Sequence, residues 1–382
     1  MEDASKLWED AVARMTRRIE ETARTVSGGF PHLGDPETGK WTLSPDGDWT
    51  GGHWTGMLWL LAKTTGEARY LQWAQRWCEA LRPRARSNTI FRAFLFYYGA
   101  MAGYALIGDT QARAIALEGA RALARTYNSR ARAFGLGAEA EEASDVGATE
   151  ASIDALGPLC GLLARACDEQ AEPALRTAAR DHALSHVEFC VRRDGSVCQS
   201  ATFDEKTGKV TRRYTHKGYA ENSTWARAQA WGMLGYTLAA RYLPVHPRLL
   251  EVAHQTADWW ISHAPADKVA FWDFDHPAIP ETFRDTSATA IAACALIKLA
   301  ALTKQPDRAR RYRQAGEQTV IALVKGYLTP VTARDRRPPG ILTEGCYNPR
   351  INLAVRNELV WGDYYLLESL LVLTGKLNPL LI

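Results

Sequence analysis

The length, composition and charge of this sequence are those of an ordinary globular protein. Its 382 residues are 46% hydrophobic and 23% charged, which supplies enough apolar material for a large core and argues against disorder. The formal net charge is only +3, from 46 basic and 43 acidic side chains. Because the arginines are also scattered along the chain, we expect no nucleic-acid-binding surface.

The sequence contains no signal for a membrane or for an oxidising compartment. No run of eighteen apolar residues occurs, and the first fifteen residues carry acids where a secretory signal has a basic flank. We therefore expect no membrane partner and a cytoplasmic location. The seven cysteines are odd in number and form no CxxC pair, which favours reduced, buried thiols over disulfides or a zinc site.

Apolar residues recur at helical spacing through most of the chain. The pattern predicts about twelve helices, at roughly 4–26, 52–65, 68–80, 89–107, 111–127, 150–167, 173–192, 223–241, 247–262, 284–302, 306–325 and 357–373. Short joints such as Thr65-Gly66 and Gly108-Asp109 indicate antiparallel neighbours. Six helical hairpins closed into a ring would form an all-α (α/α)6 barrel, with residues 1–382 as one catalytic domain. An open solenoid is the competing architecture, although no repeat of fixed period is visible.

The only good strand signals lie at about 196–203 and 209–214, with Lys206-Thr207-Gly208 as a turn between them. We therefore predict a small β-hairpin inserted into the ring. Several other connections are long and rich in Gly, Pro and Trp. Long loops on one side of a scaffold usually carry the functional residues.

The sequence is rich in aromatic residues, with thirteen tryptophans and fourteen tyrosines. Several tryptophans lie in loops or at helix starts: Trp41, Trp49, Trp54, Trp225, Trp231, Trp272 and Trp361. Sugar rings stack on such side chains, although core packing is the simpler explanation for any single tryptophan. As a group they suggest saccharide binding.

Asp154 is unusual because it lies early in a predicted apolar helix that continues through Leu159, Leu162 and Leu163. On the inner wall of a barrel, partly removed from water, its pKa would rise and it could donate a proton near neutrality. The alternative is a carboxylate that stabilises the start of the helix through the helix dipole. Spacing alone leaves both explanations open.

The segment 214–231 is dense in polar and aromatic residues and leads into a predicted helix. Arg227 and Trp231 share one face of that helix, where a guanidinium and an indole could hold an anionic sugar. This combination of side chains is a stronger indication of a binding site than any one of them alone.

Other polar clusters have structural explanations. Asp285 and Ser287 look like helix-start caps. His182 and His186 are spaced i, i+4, but no HExxH motif or third ligand accompanies them, so we expect no metal. Weaker site candidates are Asp273, Asp275 and Asp363.

The order of these motifs resembles glycoside hydrolase family 88, the unsaturated glucuronyl hydrolases, over nearly the whole chain. The motifs that carry the resemblance are Trp54-Thr55-Gly56-Met57-Leu58-Trp59, Ile153-Asp154, Arg193-Asp194-Gly195-Ser196, Gly218-Tyr219 to Trp231, Trp272-Asp273-Phe274-Asp275, Arg284-Asp285-Thr286-Ser287-Ala288 and Gly362-Asp363-Tyr364-Tyr365. It implies an (α/α)6 barrel that removes a 4,5-unsaturated uronic acid from the non-reducing end of an oligosaccharide.

The resemblance also implies a mechanism and its residues. Asp154 matches the catalytic aspartate, which protonates C4 of the double bond and helps to deliver water to C5. Arg227 and Trp231 match positions that contact substrate. The reaction would need no metal and no organic cofactor.

Three departures from the family pattern stand out. The second active-site aspartate of the family, in an HD(I/L)GF motif, falls within 88–94, where no acid is present. The family histidine falls near Cys198 or Gln199, and the glutamine expected before Gly218 is Lys217. Asp145, Glu150 or another nearby acid could replace the missing carboxylate.

Lys217 and Arg92 add positive charge near the predicted pocket. This charge suggests a divergent enzyme whose substrate carries an additional anionic group and is not the common chondroitin or hyaluronan disaccharide.

We predict a glycoside hydrolase that acts on an unsaturated or modified uronide, with Asp154 as general acid/base. The predicted substrate-binding residues are Trp54, Arg92, Gln199, Lys217, Arg227, Trp231 and Trp361. An oligosaccharide is the expected partner, and a homo-oligomer remains open. The alternatives are a lyase or epimerase on the same barrel, with Tyr219 or His216 as the base, and a non-catalytic carbohydrate-binding protein.

Overall fold

The structure is a computed structural model that describes residues 2–332 and 334–382. Its α-helical segments are α1 Glu2–Thr25, α2 Gly51–Thr65, α3 Ala68–Leu81, α4 Arg92–Phe96, α5 Ala102–Ile107, α6 Thr110–Ala124, α7 Ala143–Val146, α8 Leu156–Gln170, α9 Pro173–Cys190, α10 Ala226–Tyr242, α11 Pro247–His263, α12 Thr286–Leu302, α13 Pro306–Gly326 and α14 Val360–Leu373. A π-helical turn, Tyr97–Met101, joins α4 to α5, and α7 is a single turn. Within the described ranges this leaves twelve long helices, as predicted.

Glycine and proline mark the ends of the helical hairpins. Gly66 and Gly108 end α2 and α5 with φ angles of 72° and 75°, a left-handed conformation that glycine adopts without strain. Pro173, Pro247 and Pro306 are the first residues of α9, α11 and α13, where the missing N–H costs no helical hydrogen bond. The local sequence thus sets where each chain reversal occurs.

Six helices form a closed inner ring. Helices α2, α4–α5, α8, α10, α12 and α14 each pack against the next, and α4 and its π-helical turn close the ring against α2 and α8. The outer helices α1, α3, α6, α9, α11 and α13 pack on this ring. Inner helices need apolar residues on all sides, and every residue of α14 is buried. The architecture is therefore the predicted (α/α)6 barrel.

Two small sheets decorate the ring. Their strands are β1 Phe30–Gly34, β2 Trp41–Ser44, β3 Ala151–Ser152, β4 Ser200–Phe203, β5 Val210–Tyr214 and β6 Glu358–Leu359, in the orders β2-β1-β6 and β3-β4-β5. The β4–β5 pair is the predicted hairpin, with Ser200 opposite Tyr214. The sequence predicted no further strands, but β1 also pairs with β6 from the far end of the chain. No local turn signal marks such a pairing.

The prediction of buried, unpaired cysteines agrees with the structure. All seven cysteines are buried and free. Across residues 2–332 and 334–382, no helix combines the length and apolar character needed to span a bilayer.

Candidate active site

A narrow cavity lies where the inner helices begin. Outer and inner helices alternate along the chain and run antiparallel, so the inner helices all start on the same side of the ring. The cavity is lined by Trp49, Phe91, Phe94, Glu142, Asp154, Lys217, Trp225, Arg227, Trp231 and Tyr347. Most of these residues lie in or just before the first turns of α2, α4, α8 and α10.

Asp154 lies in the turn between β3 and α8, two residues before the helix begins. The prediction that it lies inside the helix was wrong, because Ala151 and Ser152 pair with β4 and delay the helix start. The Asp154 side chain is buried, and its Oδ2 accepts a hydrogen bond from Gln199 Nε2 at 3.3 Å. Its Oδ1 has no hydrogen-bond partner among the described residues. The side chain therefore does not cap the helix by hydrogen bonding and is free toward the cavity.

The surroundings raise the pKa of the Asp154 carboxyl to about 8. Burial is the main cause, because the ionised form loses its hydration, and the negative charge of Glu142 adds to the effect. The charges of Lys217 and Arg227 and the hydrogen bond from Gln199 act in the opposite direction. At neutral pH this carboxyl therefore holds a proton that it can donate.

A second carboxylate enters the cavity from Glu142, which immediately precedes α7. Glu142 is 3% exposed, and its Oε1 lies 2.9 Å from Lys217 Nζ. Lys217 Nζ is also 3.4 Å from Glu141 Oε1. Burial alone would lower the pKa of Lys217, but these carboxylates raise it well above its ordinary value. Lys217 is thus charged, and two negative charges offset it.

The two acids that the sequence suggested as replacements do not line the cavity. Asp145 is exposed on α7. Glu150 is buried, but its Oε2 accepts hydrogen bonds from Thr202 Oγ1 at 2.6 Å and from the Tyr214 hydroxyl at 2.7 Å. It supports the β4–β5 hairpin, and the nearby acid that reaches the cavity is Glu142.

Arg227 and Trp231 lie together in the cavity wall, as their spacing predicts. The Arg227 guanidinium donates to Asp285 Oδ2 at 2.7 Å and to the backbone carbonyl oxygens of Cys346 and Tyr347 at 2.6 and 2.5 Å. These acceptors hold the guanidinium rigidly in a buried position. Its charge faces the cavity, while most of its donors are already used by the protein.

Gln199 connects two functional groups from behind the cavity wall. Its side-chain oxygen accepts the backbone N–H of Lys217 at 3.0 Å, and its amide nitrogen donates to Asp154. Gln199 is fully buried. The structure therefore gives it the geometry of a positioning residue for Asp154.

Trp54 and Arg92 do not reach the cavity. The Trp54 ring packs against Trp77 in the core, with ring centroids 6.1 Å apart. Arg92 Nη1 donates to the carbonyl oxygen of Ala85 at 3.0 Å and lines a separate surface groove. Because Phe91 lines the cavity, the next residue along the helix start points about 100° away from it. The predicted contribution of Arg92 to the charge of the pocket is thus wrong.

Trp361 forms a second aromatic layer behind the cavity. Its ring lies 4.7 Å from that of Trp49, centroid to centroid, and the Arg227 guanidinium carbon is 5.6 Å from the Trp361 ring. Trp361 supports the lining residues but is not one of them.

Asp285 has the structural role that the sequence suggested. Asp285 caps α12 by accepting hydrogen bonds from the backbone N–H groups of Ser287 and Ala288. His182 and His186 are buried with their ring centroids 3.9 Å apart. In the part of the chain that the structure describes, no three His, Cys, Asp or Glu side chains are grouped to hold a metal ion.

Sequence reasoning missed Glu142, Phe91, Phe94 and Tyr347 as cavity residues. Glu142 belongs to the acidic run 139–142, a pattern typical of a solvated surface. The two phenylalanines lie within 88–94, and an apolar pair at a helix start predicts only core packing. No local signal distinguished these residues.

The comparisons with known proteins agree with this fold. The sequence model described as Glycosyl Hydrolase Family 88 matches residues 30–329. An unsaturated glucuronyl hydrolase from Bacillus sp. strain GL1 is 34% identical over 96% of both chains. An unsaturated chondroitin disaccharide hydrolase from Streptococcus pyogenes serotype M1 is 29% identical over 89% of this chain and 84% of the relative. The crystal structure of the Bacillus sp. GL1 enzyme superposes with a TM-score of 0.87, at 33% identity over 96% of both chains.

The ring, its acid-lined aromatic cavity and these matches define the class of protein, a glycoside hydrolase built on an (α/α)6 barrel. More particularly, the chain belongs to Glycosyl Hydrolase Family 88.

Proposed function

We propose that this protein hydrolyses oligosaccharides that carry a 4,5-unsaturated uronic acid at the non-reducing end, with Asp154 as the general acid. The observation that carries the proposal is the buried Asp154 carboxyl, whose pKa of about 8 leaves it protonated at neutral pH. A proton donor of this kind is what hydration of an electron-rich double bond requires. The names of the relatives, which refer to unsaturated glucuronyl and chondroitin substrates, support the same reaction class.

The proposed reaction begins with proton transfer from Asp154 to C4 of the sugar. The electron pair of the C4=C5 bond forms the new C–H bond, and positive charge develops at C5 and the ring oxygen. The oxygen of a water molecule then bonds to C5 while one of its O–H bonds breaks and the proton passes to a carboxylate of the cavity, which gives a hemiketal. The hemiketal opens to a 5-keto sugar, and the resulting hemiacetal at C1 expels the remainder of the oligosaccharide as an alcohol.

The electrostatics of the cavity suit an anionic sugar. Arg227 places a buried positive charge in the wall, and the inner helices direct the positive ends of their dipoles toward the same side. Trp49, Trp225 and Trp231 supply aromatic surface for a sugar ring. Lys217 contributes less positive charge than the sequence suggested, because Glu141 and Glu142 offset it. The charge-based argument for an additional anionic group on the substrate therefore loses most of its support.

The lyase alternative has weaker geometric support. A lyase needs a base that faces the C5 proton of a uronate. Tyr219 is 48% exposed, and neither it nor His216 lines the cavity. His216 Nδ1 lies 3.0 Å from Ser200 Oγ, and burial lowers its pKa to about 3. Hydrolysis by Asp154 accounts for the cavity better.

The test measures ultraviolet absorbance of the conjugated enoate in a panel of lyase-generated disaccharides from chondroitin, hyaluronan and heparin. Wild-type protein should remove the absorbance of at least one disaccharide, and Asp154→Asn should reduce kcat by about 10²- to 10⁴-fold. Asp145→Asn, which changes an exposed acid outside the cavity, is the matched control and should retain wild-type activity. A rise in absorbance with intact polysaccharides would indicate a lyase, and binding without turnover would indicate a carbohydrate-binding protein.

A further inference from the structure

The segment that carries Glu142 is anchored in a way that fixes its position. At its base, the backbone N–H of Gly137 donates to the carbonyl oxygen of Ala148 at 2.8 Å. Gly137 has a φ of 87°, and a Cβ at this position would lie 2.3 Å from the carbonyl oxygen of Asn88. Only glycine tolerates both conditions. The segment therefore packs closely against the start of the α4 region, where the family pattern has its second aspartate.

The same segment is also tied to the cavity wall. Glu141 Oε2 accepts a hydrogen bond from Trp49 Nε1 at 3.1 Å and another from the hydroxyl of Tyr347. Glu141 Oε1 contacts Lys217, and the Lys217 Nζ lies 5.2 Å from the centre of the Tyr347 ring. These contacts hold the neighbouring Glu142 beneath the surface, although it lies in an acidic stretch.

Glu142 and Asp154 have matching arrangements. Each carboxylate has one oxygen held by a neighbour: Glu142 Oε1 by Lys217 at 2.9 Å, and Asp154 Oδ2 by Gln199 at 3.3 Å. Each has a second oxygen, Glu142 Oε2 and Asp154 Oδ1, that is buried and lacks a hydrogen-bond partner among the described residues. Both residues line the same cavity. Unpaired buried acceptors are costly, which indicates that water or a substrate group contacts them.

We propose that Glu142 is a second catalytic carboxylate, which accepts a proton from the attacking water while Asp154 protonates the sugar. This inference rests on the proposed function. Asp154 gives its proton to C4, the water oxygen bonds to C5, and the surplus proton of that water passes to Glu142 Oε2. Glu142 then returns the proton to Asp154 through solvent, so that the enzyme regains its starting state.

The charges around Glu142 suit a base at Glu142 and an acid at Asp154. Burial raises the pKa of Glu142 and makes it a stronger base than an exposed carboxylate, whereas the charge of Lys217 opposes that rise and favours the ionised form. The negative charge of Glu142 in turn raises the pKa of Asp154 and keeps it protonated. A neutral carboxyl beside an ion-paired carboxylate is a usual arrangement for one acid and one base.

Lys217 thus has a function different from the one that the sequence suggested. It pairs with Glu142 and, through its backbone N–H, with the Gln199 side chain that contacts Asp154. A buried carboxylate requires a nearby cation, and Lys217 provides it for Glu142.

The first experiment compares Glu142→Gln with the matched control Asp145→Asn on a disaccharide that the wild-type protein turns over. Glu142→Gln should lower kcat on the order of 100-fold with little change in KM, because a base acts in the transition state rather than in binding. Its alkaline limb of kcat/KM should also move to lower pH, because removing the negative charge lowers the pKa of Asp154. A purely structural role would not move the limb. Wild-type kcat in Glu142→Gln would overturn the proposal.

Chemical rescue provides a second kinetic measurement. Glu142→Ala removes the side chain, and added formate should restore part of its activity by supplying a small carboxylate at the same place. Formate should have no effect on Asp145→Ala. A Glu142→Ala protein that folds but gains no activity from formate at any concentration would argue against a base at this position.

A third measurement separates this inference from the proposed function, because it needs no substrate. The ionisation of Asp154 is followed by carbon-13 NMR of labelled aspartate carboxyls, in wild-type protein and in Glu142→Gln, with Asp154→Asn to assign the signal. The pKa of Asp154 should fall in Glu142→Gln, and an unchanged value would overturn the pairing even if the enzyme is active. Absence of turnover by the wild-type protein, with Asp154 and Glu142 still coupled, would overturn the function and the base role but not the pairing.

Discussion

Replacing Asp154 by asparagine should stabilise the folded protein and remove its general acid. The gain in the free energy of unfolding should grow with pH. The native pKa of about 8 lies far above the ordinary value of 3.8 for an aspartate. The folded protein therefore keeps a proton that the unfolded chain releases, so a rise in pH favours unfolding. The stability that the neutral Asp154 carboxyl contributes is fully present below about pH 4 and is lost progressively as the pH rises to about 8.

The magnitude follows from the same two acidities. At about 1.4 kcal/mol per pKa unit, the full difference between 3.8 and about 8 corresponds to roughly 6 kcal/mol as an upper bound. Relaxation of the cavity and entry of water will reduce it. We therefore expect the stability of Asp154→Asn to rise relative to that of the wild-type protein by roughly 2–4 kcal/mol between pH 5 and pH 8.

The assay is urea unfolding at pH 5, 6, 7 and 8, followed by the fluorescence of the thirteen tryptophans. Asp145→Asn is the control, because it removes an exposed acid from α7 and should follow the wild-type curve at every pH. A constant difference between Asp154→Asn and wild type across this range would refute the reasoning. It would mean that burial does not hold the Asp154 carboxyl in its neutral form.

Three further substitutions test other parts of the site. Gln199→Leu removes a hydrogen bond that lowers the pKa of Asp154. The alkaline limb of the kcat/KM profile should therefore move to higher pH. An unchanged limb would show that Gln199 does not position Asp154. Arg227→Met leaves the buried Asp285 carboxylate without its cation and should lower the free energy of unfolding by about 3–5 kcal/mol in thermal denaturation. An unchanged free energy of unfolding would show that Asp285 does not depend on the charge of Arg227. Trp54→Phe should lower Tm and leave KM unchanged, because the Trp54 ring packs in the core. A raised KM at constant Tm would show that Trp54 contacts the substrate.

Local sequence signals predicted the helices well because each signal depends on neighbouring residues. Gly66 and Gly108 end helices through their own φ preference, and Pro173 begins one through its missing N–H. The prediction was less accurate where a distant strand competes with the helix. Ala151 and Ser152 continue the helical pattern, but their pairing with β4 places them in a strand and Asp154 in a turn.

The predicted binding residues were placed correctly where the prediction used helical spacing, and incorrectly where it used nearness to a motif. Arg227 and Trp231 share a helical face in the sequence and share a cavity wall in the structure. Arg92 was assigned to the pocket by its nearness to a motif, but one residue along a helix start is enough to direct a side chain elsewhere. Nearness in sequence indicates a common site only when the spacing also matches the helical period.

The sequence by itself determined the twelve helices, their pairing into hairpins and the identity of Asp154 as the unusual acid. Its apolar periodicity is local information, and it suffices because each inner helix must bury all of its faces. Only the tertiary structure decided which groups surround that acid. Ring closure brings Glu142, Asp154 and Lys217 into one cavity from separate segments, and β1 meets β6 across the length of the chain. The acidities of the two carboxylates depend on that shared burial and on each other's charge, neither of which is encoded in the residues beside them in the sequence.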